Sequence, residues 1–184
     1  MAKVALATVE QVKQYLGINN ENDDALLQRL VTSAGDWIQQ WCNRNFGIDT
    51  YTDKFDGTGL YQYMFANYPV LSISQVMVNT VVVPAATSQN DVGYVFTDRR
   101  LILRDYNFAK GLLNCSVTYS AGFAEVPPEI SQACVEICVH RYKERDRIGL
   151  TSKGLAGETI GFSQKDMPED ARTILTNYKK VIPS

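Results

Sequence analysis

The sequence predicts an α+β fold: a mainly helical core of about four helices, with a strand-rich antiparallel insertion between the second and third helices. Three observations carry this. Residues 24–45 repeat apolar side chains at helical spacing. Residues 46–123 switch to short runs rich in Val, Ile and Tyr, separated by turn residues. Prolines then open two further helical patterns, at Pro127-Pro128-Glu129 and at Met167-Pro168-Glu169.

The first helix is short. Thr8 suits its N-cap, with Gln11 as the capping-box partner. Val9, Val12 and Leu16 share a face, and Gly17 suits the stop. In the second helix, Leu26, Leu27, Leu30, Val31, Ala34, Trp37, Ile38, Trp41 and Cys42 fall within one arc of about 160°. An arc that wide predicts packing against more than one neighbour, and it places Trp37 and Trp41 in the core rather than on a binding platform.

The expected strands follow. Residues 51–55 alternate, and Asp56-Gly57-Thr58-Gly59 is a turn signal. The aromatic stretch 61–68 precedes runs at 70–78 and 81–83, split by Asn79-Thr80. Residues 84–91 read as an exposed loop, and 100–104 and 115–119 as further strands of one small sheet. In the third helix, Ile130, Cys134, Ile137 and Cys138 form a stripe. Extended by helical spacing, it reaches Arg141, Arg145 and Ile148, so its far end turns cationic. The fourth helix places Ala171, Ile174, Leu175 and Tyr178 on one face.

These elements are read as one domain of 184 residues: N-terminal helices over 1–46, the β-rich insertion over 47–124, and C-terminal helices with a Gly-rich connecting arm over 125–184. The composition, 45% hydrophobic and 21% charged, is that of a soluble globular protein. A net charge of −2 and a pI near 5.4 argue against a duplex-binding module, which usually carries a basic face. No apolar run approaches the roughly 18 residues of a membrane span, and no signal peptide is visible, so the chain is expected to stay in the cytosol where it is made. Three of the four cysteines fall in helix-patterned apolar runs, where free thiols behave as small hydrophobes.

The residues offer little chemistry. His140 is the sole histidine, so a Ser-His-Asp or Cys-His site would have to use it, and Glu136 and Glu144 beside it favour a solvated or interface role. Cys134 and Cys138 lie one turn apart, but a structural zinc needs four ligands in short spacings. No catalytic, metal or cofactor residues are expected. Arg141 and Arg145 have two readings: long side chains snorkelling at the rim of a core, or ion pairs with an adjacent subunit. The strip from 149 to 165 is stranger. Glycines punctuate it, yet it carries Leu150, Leu155, Ile160 and Phe162, and so many apolar side chains on a connection need a cover. It reads as a contact element, an arm ordered by a neighbouring subunit or another protein.

Both ends of the chain carry a resemblance. Residues 9–16 (Val-Glu-Gln-Val-Lys-Gln-Tyr-Leu), Asp23-Asp24-Ala25-Leu26-Leu27 and Asn43-Arg44-Asn45-Phe46 resemble the start of the head-tail connector, or portal adaptor, family of tailed phages. The run His140-Arg141-Tyr142-Lys143-Glu144-Arg145-Asp146 is similar to a helix end of that family, with Glu144 where asparagine is frequent. Met167-Pro168-Glu169-Asp170-Ala171, with Leu175 and Tyr178-Lys179-Lys180, is similar to its closing helix.

The resemblance implies a structural virion protein without enzymatic activity. It implies a ring, commonly dodecameric, beneath the portal at the head-tail interface. Its partners would be the portal protein above and the next neck or tail-completion protein below. DNA would pass through the channel without sequence-specific binding. On this reading Arg141, Arg145, Leu150, Lys153, Leu155, Ile160 and Phe162 form the subunit or portal interface. The alternative is a DNA-binding or packaging-accessory protein using Lys143, Arg145, Arg147 and Lys153 as a basic surface.

Overall fold

The structure is a computed structural model that describes residues 4–88, 90–145 and 167–180, together with the backbone of 152–155 and 158–161. In chain order the elements are α1 (Val9–Leu16), α2 (Asp24–Cys42), β1 (Asp49–Gly57), β2 (Gln62–Met64), β3 (Val70–Val78), β4 (Val81–Val82), β5 (Gly93–Phe96), β6 (Arg100–Arg104), β7 (Gly111–Ala121), α3 (Pro128–Glu144), β8 (Ser152–Leu155), β9 (Glu158–Gly161) and α4 (Glu169–Tyr178). The α+β class and the strand-rich insertion between the second and third helices are as the sequence predicts. The chain divides into two compact units, a strand-rich one over residues 46–125 and a helical one made of the segments on either side.

In the helical unit, α1, α2 and α4 all pack on α3. Thr8 and Gln11 form the expected capping box, and Gly17 ends α1 in the left-handed conformation at φ 71°. Asn43 ends α2 in the same way at φ 51°. Because three helices surround α3, its burial is not a stripe: Ile130, Ala133, Cys134, Val135, Ile137, Cys138 and Val139 are all buried. Leu27, Val31, Ala34, Ile38 and Cys42 of α2 complete this core with Ala171 and Leu175 of α4.

The strand-rich unit contains two sheets where one was expected. The larger is antiparallel in the order β1-β7-β3-β4, and the smaller has the order β2-β6-β5. β5 has no counterpart among the expected strands. Its four residues are too short to show an alternation, and pairing with β6 defines it. Residues from both sheets, among them Val76, Val117, Tyr119, Leu101 and Leu103, share one core cluster with Phe65 and Phe108. Within it Tyr119 and Tyr63 both donate to Asp53 Oδ2, at 2.7 and 3.0 Å. The exposed loop expected at 84–91 is held by Asp91, which accepts from Thr87 Oγ1 at 2.6 Å and from Ser88 Oγ at 2.7 Å.

The strip read as a glycine-rich connecting arm includes paired strands: β8 and β9 form a two-stranded antiparallel sheet, with Lys153 opposite Ile160 and Leu155 opposite Glu158. Single glycines do not forbid a short hairpin, and backbone pairing satisfies polar groups that an open arm would leave to water.

Candidate interaction surface

α2 presents two rows of apolar side chains because its apolar arc is wider than one neighbour can cover. One row, Leu27, Val31, Ala34, Ile38 and Cys42, is buried. The other, Leu26, Leu30, Trp37 and Trp41, remains half-buried. The expectation that both tryptophans lie in the core is corrected: burial on α2 is rotated away from them and takes in Gly35 and Gln39 instead.

The two indoles stack, with centroids 6.5 Å apart and planes 26° from parallel. Each carries a cation. The Arg141 guanidinium of α3 lies 5.6 Å from the Trp37 centroid, and Lys179 Nζ, just past α4, lies 4.7 Å from the Trp41 centroid. Both fall within the range where the negative ring face attracts a cation. Arg141 also donates to Ser33 Oγ at 3.3 Å. The result is a four-membered ladder, Arg141–Trp37–Trp41–Lys179, drawn from α2, α3 and the residue just past α4. Among the described residues neither cation has a carboxylate partner; ion pairs there join Lys13 to Asp24 at 2.8 Å and Arg99 to Asp98 at 3.6 Å.

Arg145 does not join Arg141. It lies 3.8 Å above the ring of Tyr142 on its own helix and donates to the Tyr142 carbonyl at 3.4 Å. Tyr142 in turn donates its hydroxyl to Asp23 Oδ2 at the start of α2. Asp23 therefore ties α2 to α3 and makes no side-chain cap of its own helix. Of the other expected interface residues, Lys153, Leu155 and Ile160 fall on β8 and β9, whose backbone alone is described, and Leu150 and Phe162 lie outside the described residues. Arg147 and Ile148 lie outside them too.

The strand-rich unit has its own exposed apolar site. Leu112 and Leu113, at the start of β7, are 87% and 70% exposed. Leu113 sits at φ 46°, a conformation a leucine rarely adopts, and its N–H donates to Asp56 Oδ1 at 2.6 Å. Asn114 braces the same turn through Ala109 O at 2.8 Å and Asn79 Oδ1 at 3.0 Å. Sequence reasoning missed this pair because the strand expected over 115–119 begins earlier, at Gly111, than its alternation shows.

The helices offer no obvious chemistry. His140 is half-buried on α3. Cys134 and Cys138 are buried one turn apart, and the neighbouring thiol together with burial pushes Cys134 up. Among the described residues no group of three or more His, Cys, Asp or Glu is placed to hold a metal ion, and no helix is long and apolar enough to cross a membrane.

A model of the head completion protein family matches residues 5–181, nearly the whole chain and both units. The chain belongs to the head completion protein family. The membership agrees with the connector resemblance carried by the motifs at the two ends. No curated protein matches this head completion protein by sequence. Solved structures do match in fold. One is described as the neck of an empty gene transfer agent particle computed with C6 symmetry, with TM-score 0.58 and 16% identity over 100% of this chain and 95% of that one. A second, the neck of the native particle computed with C12 symmetry, matches with TM-score 0.57 and 16% identity over 100% and 94%. A third, from the virion of the native gene transfer agent particle, matches with TM-score 0.57, 16% identity, and 100% and 95% coverage. At this identity the likeness is one of fold.

Proposed function

We propose that this head completion protein is a structural, non-catalytic component of a virion neck: a head-tail connector that assembles as a ring beneath the portal, extends the DNA channel and offers the docking site for the next neck or tail protein. The observation that carries the reading is the family match across residues 5–181. The end-to-end fold likeness to chains from particle necks computed with C6 and C12 symmetry supports it. A closed ring needs a heterologous contact, in which one patch of a subunit meets a different patch of the next. Arg141, Arg145, Leu150, Lys153, Leu155, Ile160 and Phe162 are proposed to contribute to the subunit or portal contact. The net charge of −2 suits a channel through which DNA slides, since tight DNA binding needs many phosphate contacts.

Electron microscopy of the purified chain, alone and mixed with portal-bearing heads, tests this. Rings, or an added layer of density below the portal, are expected. A chain that stays monomeric and leaves the heads unchanged would remove the reading. Salt-dependent duplex binding by such a monomer would favour the packaging-accessory alternative.

A further inference from the structure

We propose that the Arg141–Trp37–Trp41–Lys179 ladder is a docking surface for a second copy of this chain, with carboxylates of that copy pairing the two cations. The inference rests on the ring reading above and adds the surface on which one copy receives the next.

The first argument is the unfinished side of α2. Leu26, Leu30, Trp37 and Trp41 form an apolar row that no other helix of the unit covers fully. A second argument is the residue types. Tryptophan and arginine dominate the energetics of protein interfaces, because each brings large area and directional contacts at modest entropic loss. The third is charge. Arg141 and Lys179 lie on indole faces without carboxylates among the described residues. The chain as a whole is acidic, with 20 Asp and Glu against 18 Lys and Arg. A second copy therefore carries the carboxylates that the ladder lacks, whereas a DNA surface would present phosphates that two isolated cations hold weakly.

The ladder holds both tryptophans of the chain, so indole fluorescence reads this surface alone. The full-length chain is taken from dilute to concentrated solution while mass photometry follows association and acrylamide follows quenching. Chain labelled with 5-hydroxytryptophan, which can be excited apart from other tryptophans, is then bound to portal-bearing heads. Carbodiimide cross-linking of an equal mixture of light and heavy-isotope chains identifies what Lys179 Nζ touches. Quenching is expected to fall severalfold on assembly, with mixed-isotope cross-links from Lys179 to a carboxylate of another copy. Lys179→Glu, on an exposed side chain, is expected to weaken association by on the order of tenfold or more, with the monomer's unfolding midpoint lowered only by the few degrees that an exposed cation–π contact supplies.

Rings with unaltered quenching and no chain-to-chain cross-link at Lys179 would overturn the assignment and leave the ring reading standing. Cross-links from Lys179 to the portal alone would also overturn it. A chain that neither associates nor binds heads would remove both.

Discussion

Tyr119 on β7 donates its hydroxyl to Asp53 Oδ2 on β1 at 2.7 Å, and the same phenol oxygen accepts from the Asn67 N–H at 3.1 Å. Tyr63 and the Ala66 N–H reach the same carboxylate oxygen, at 3.0 and 3.4 Å. One buried phenol therefore joins β7, one of the two central strands of the larger sheet, to the segment that follows β2.

Tyr119→Phe keeps the ring and removes the hydroxyl. Asp53 loses a donor and Asn67 an acceptor, so a loss of about 1–3 kcal/mol is expected in urea unfolding. Burial is the main cause that pushes both the Tyr63 and the Tyr119 phenols above the ordinary range, with Asp53 adding to it. A raised value means the folded state holds its proton longer. The contribution is full below the unfolded phenol value of about 10 and is lost as pH rises beyond it. Phenolate absorbance should thus show at least two of the ten tyrosines titrating only with unfolding. Free titration of all ten in the folded protein would contradict the burial.

Gly122 and Gly17 should respond differently to alanine. At Gly122, φ is 136° and an added Cβ would sit 2.2 Å from the Gly47 carbonyl oxygen. Backbone cannot give way there, so a loss of more than about 2 kcal/mol is expected. At Gly17, φ is 71° and nothing lies within 4 Å, so Gly17→Ala should lose only about 1 kcal/mol. Thermal unfolding of the two variants side by side checks the order.

Thr8→Ala removes one half of the capping box on α1. A loss of about 1 kcal/mol is expected. Hydrogen exchange should report it as faster exchange at Gln11, whose N–H is bonded to Thr8 Oγ1 at 3.3 Å.

All four thiols are buried, and burial pushes Cys42 up to about 11. Its contribution to stability is complete below the ordinary thiol value and is lost as pH rises through about 11. At neutral pH a disulfide reagent should label the native chain only at the rate of opening, and all four sites at once after denaturation. Rapid labelling of one thiol in the native state would show an open path to it.

Leu113→Gly should change stability little or raise it by up to about 1 kcal/mol, because glycine accepts φ 46° and the lost side chain is 70% exposed. Leu101→Ala, at a fully buried position, should lose about 2–5 kcal/mol. The contrast separates an exposed leucine from a core leucine that sequence pattern alone treats alike.

Local signals settled a large part of this protein. Thr8, Gln11 and Gly17 bound α1 because capping is a matter of neighbours three residues apart. Pro128 and Pro168 mark α3 and α4 because proline excludes the alternatives at a first turn. The spacing of Val, Ile and Tyr marked out most of the strand-rich unit, and motifs at both ends pointed to the family. Periodicity could not say which part of the α2 arc is covered, since that depends on where α3 and α4 lie. It also could not separate one sheet from two, because pairing is non-local and β5 exists only against β6. The same limit applied to the site. The sequence singled out Arg141 as cationic at the end of a stripe. Tertiary packing alone set it and Lys179 against the indoles of Trp37 and Trp41, since those side chains come from α2, α3 and the end of α4, far apart in the chain.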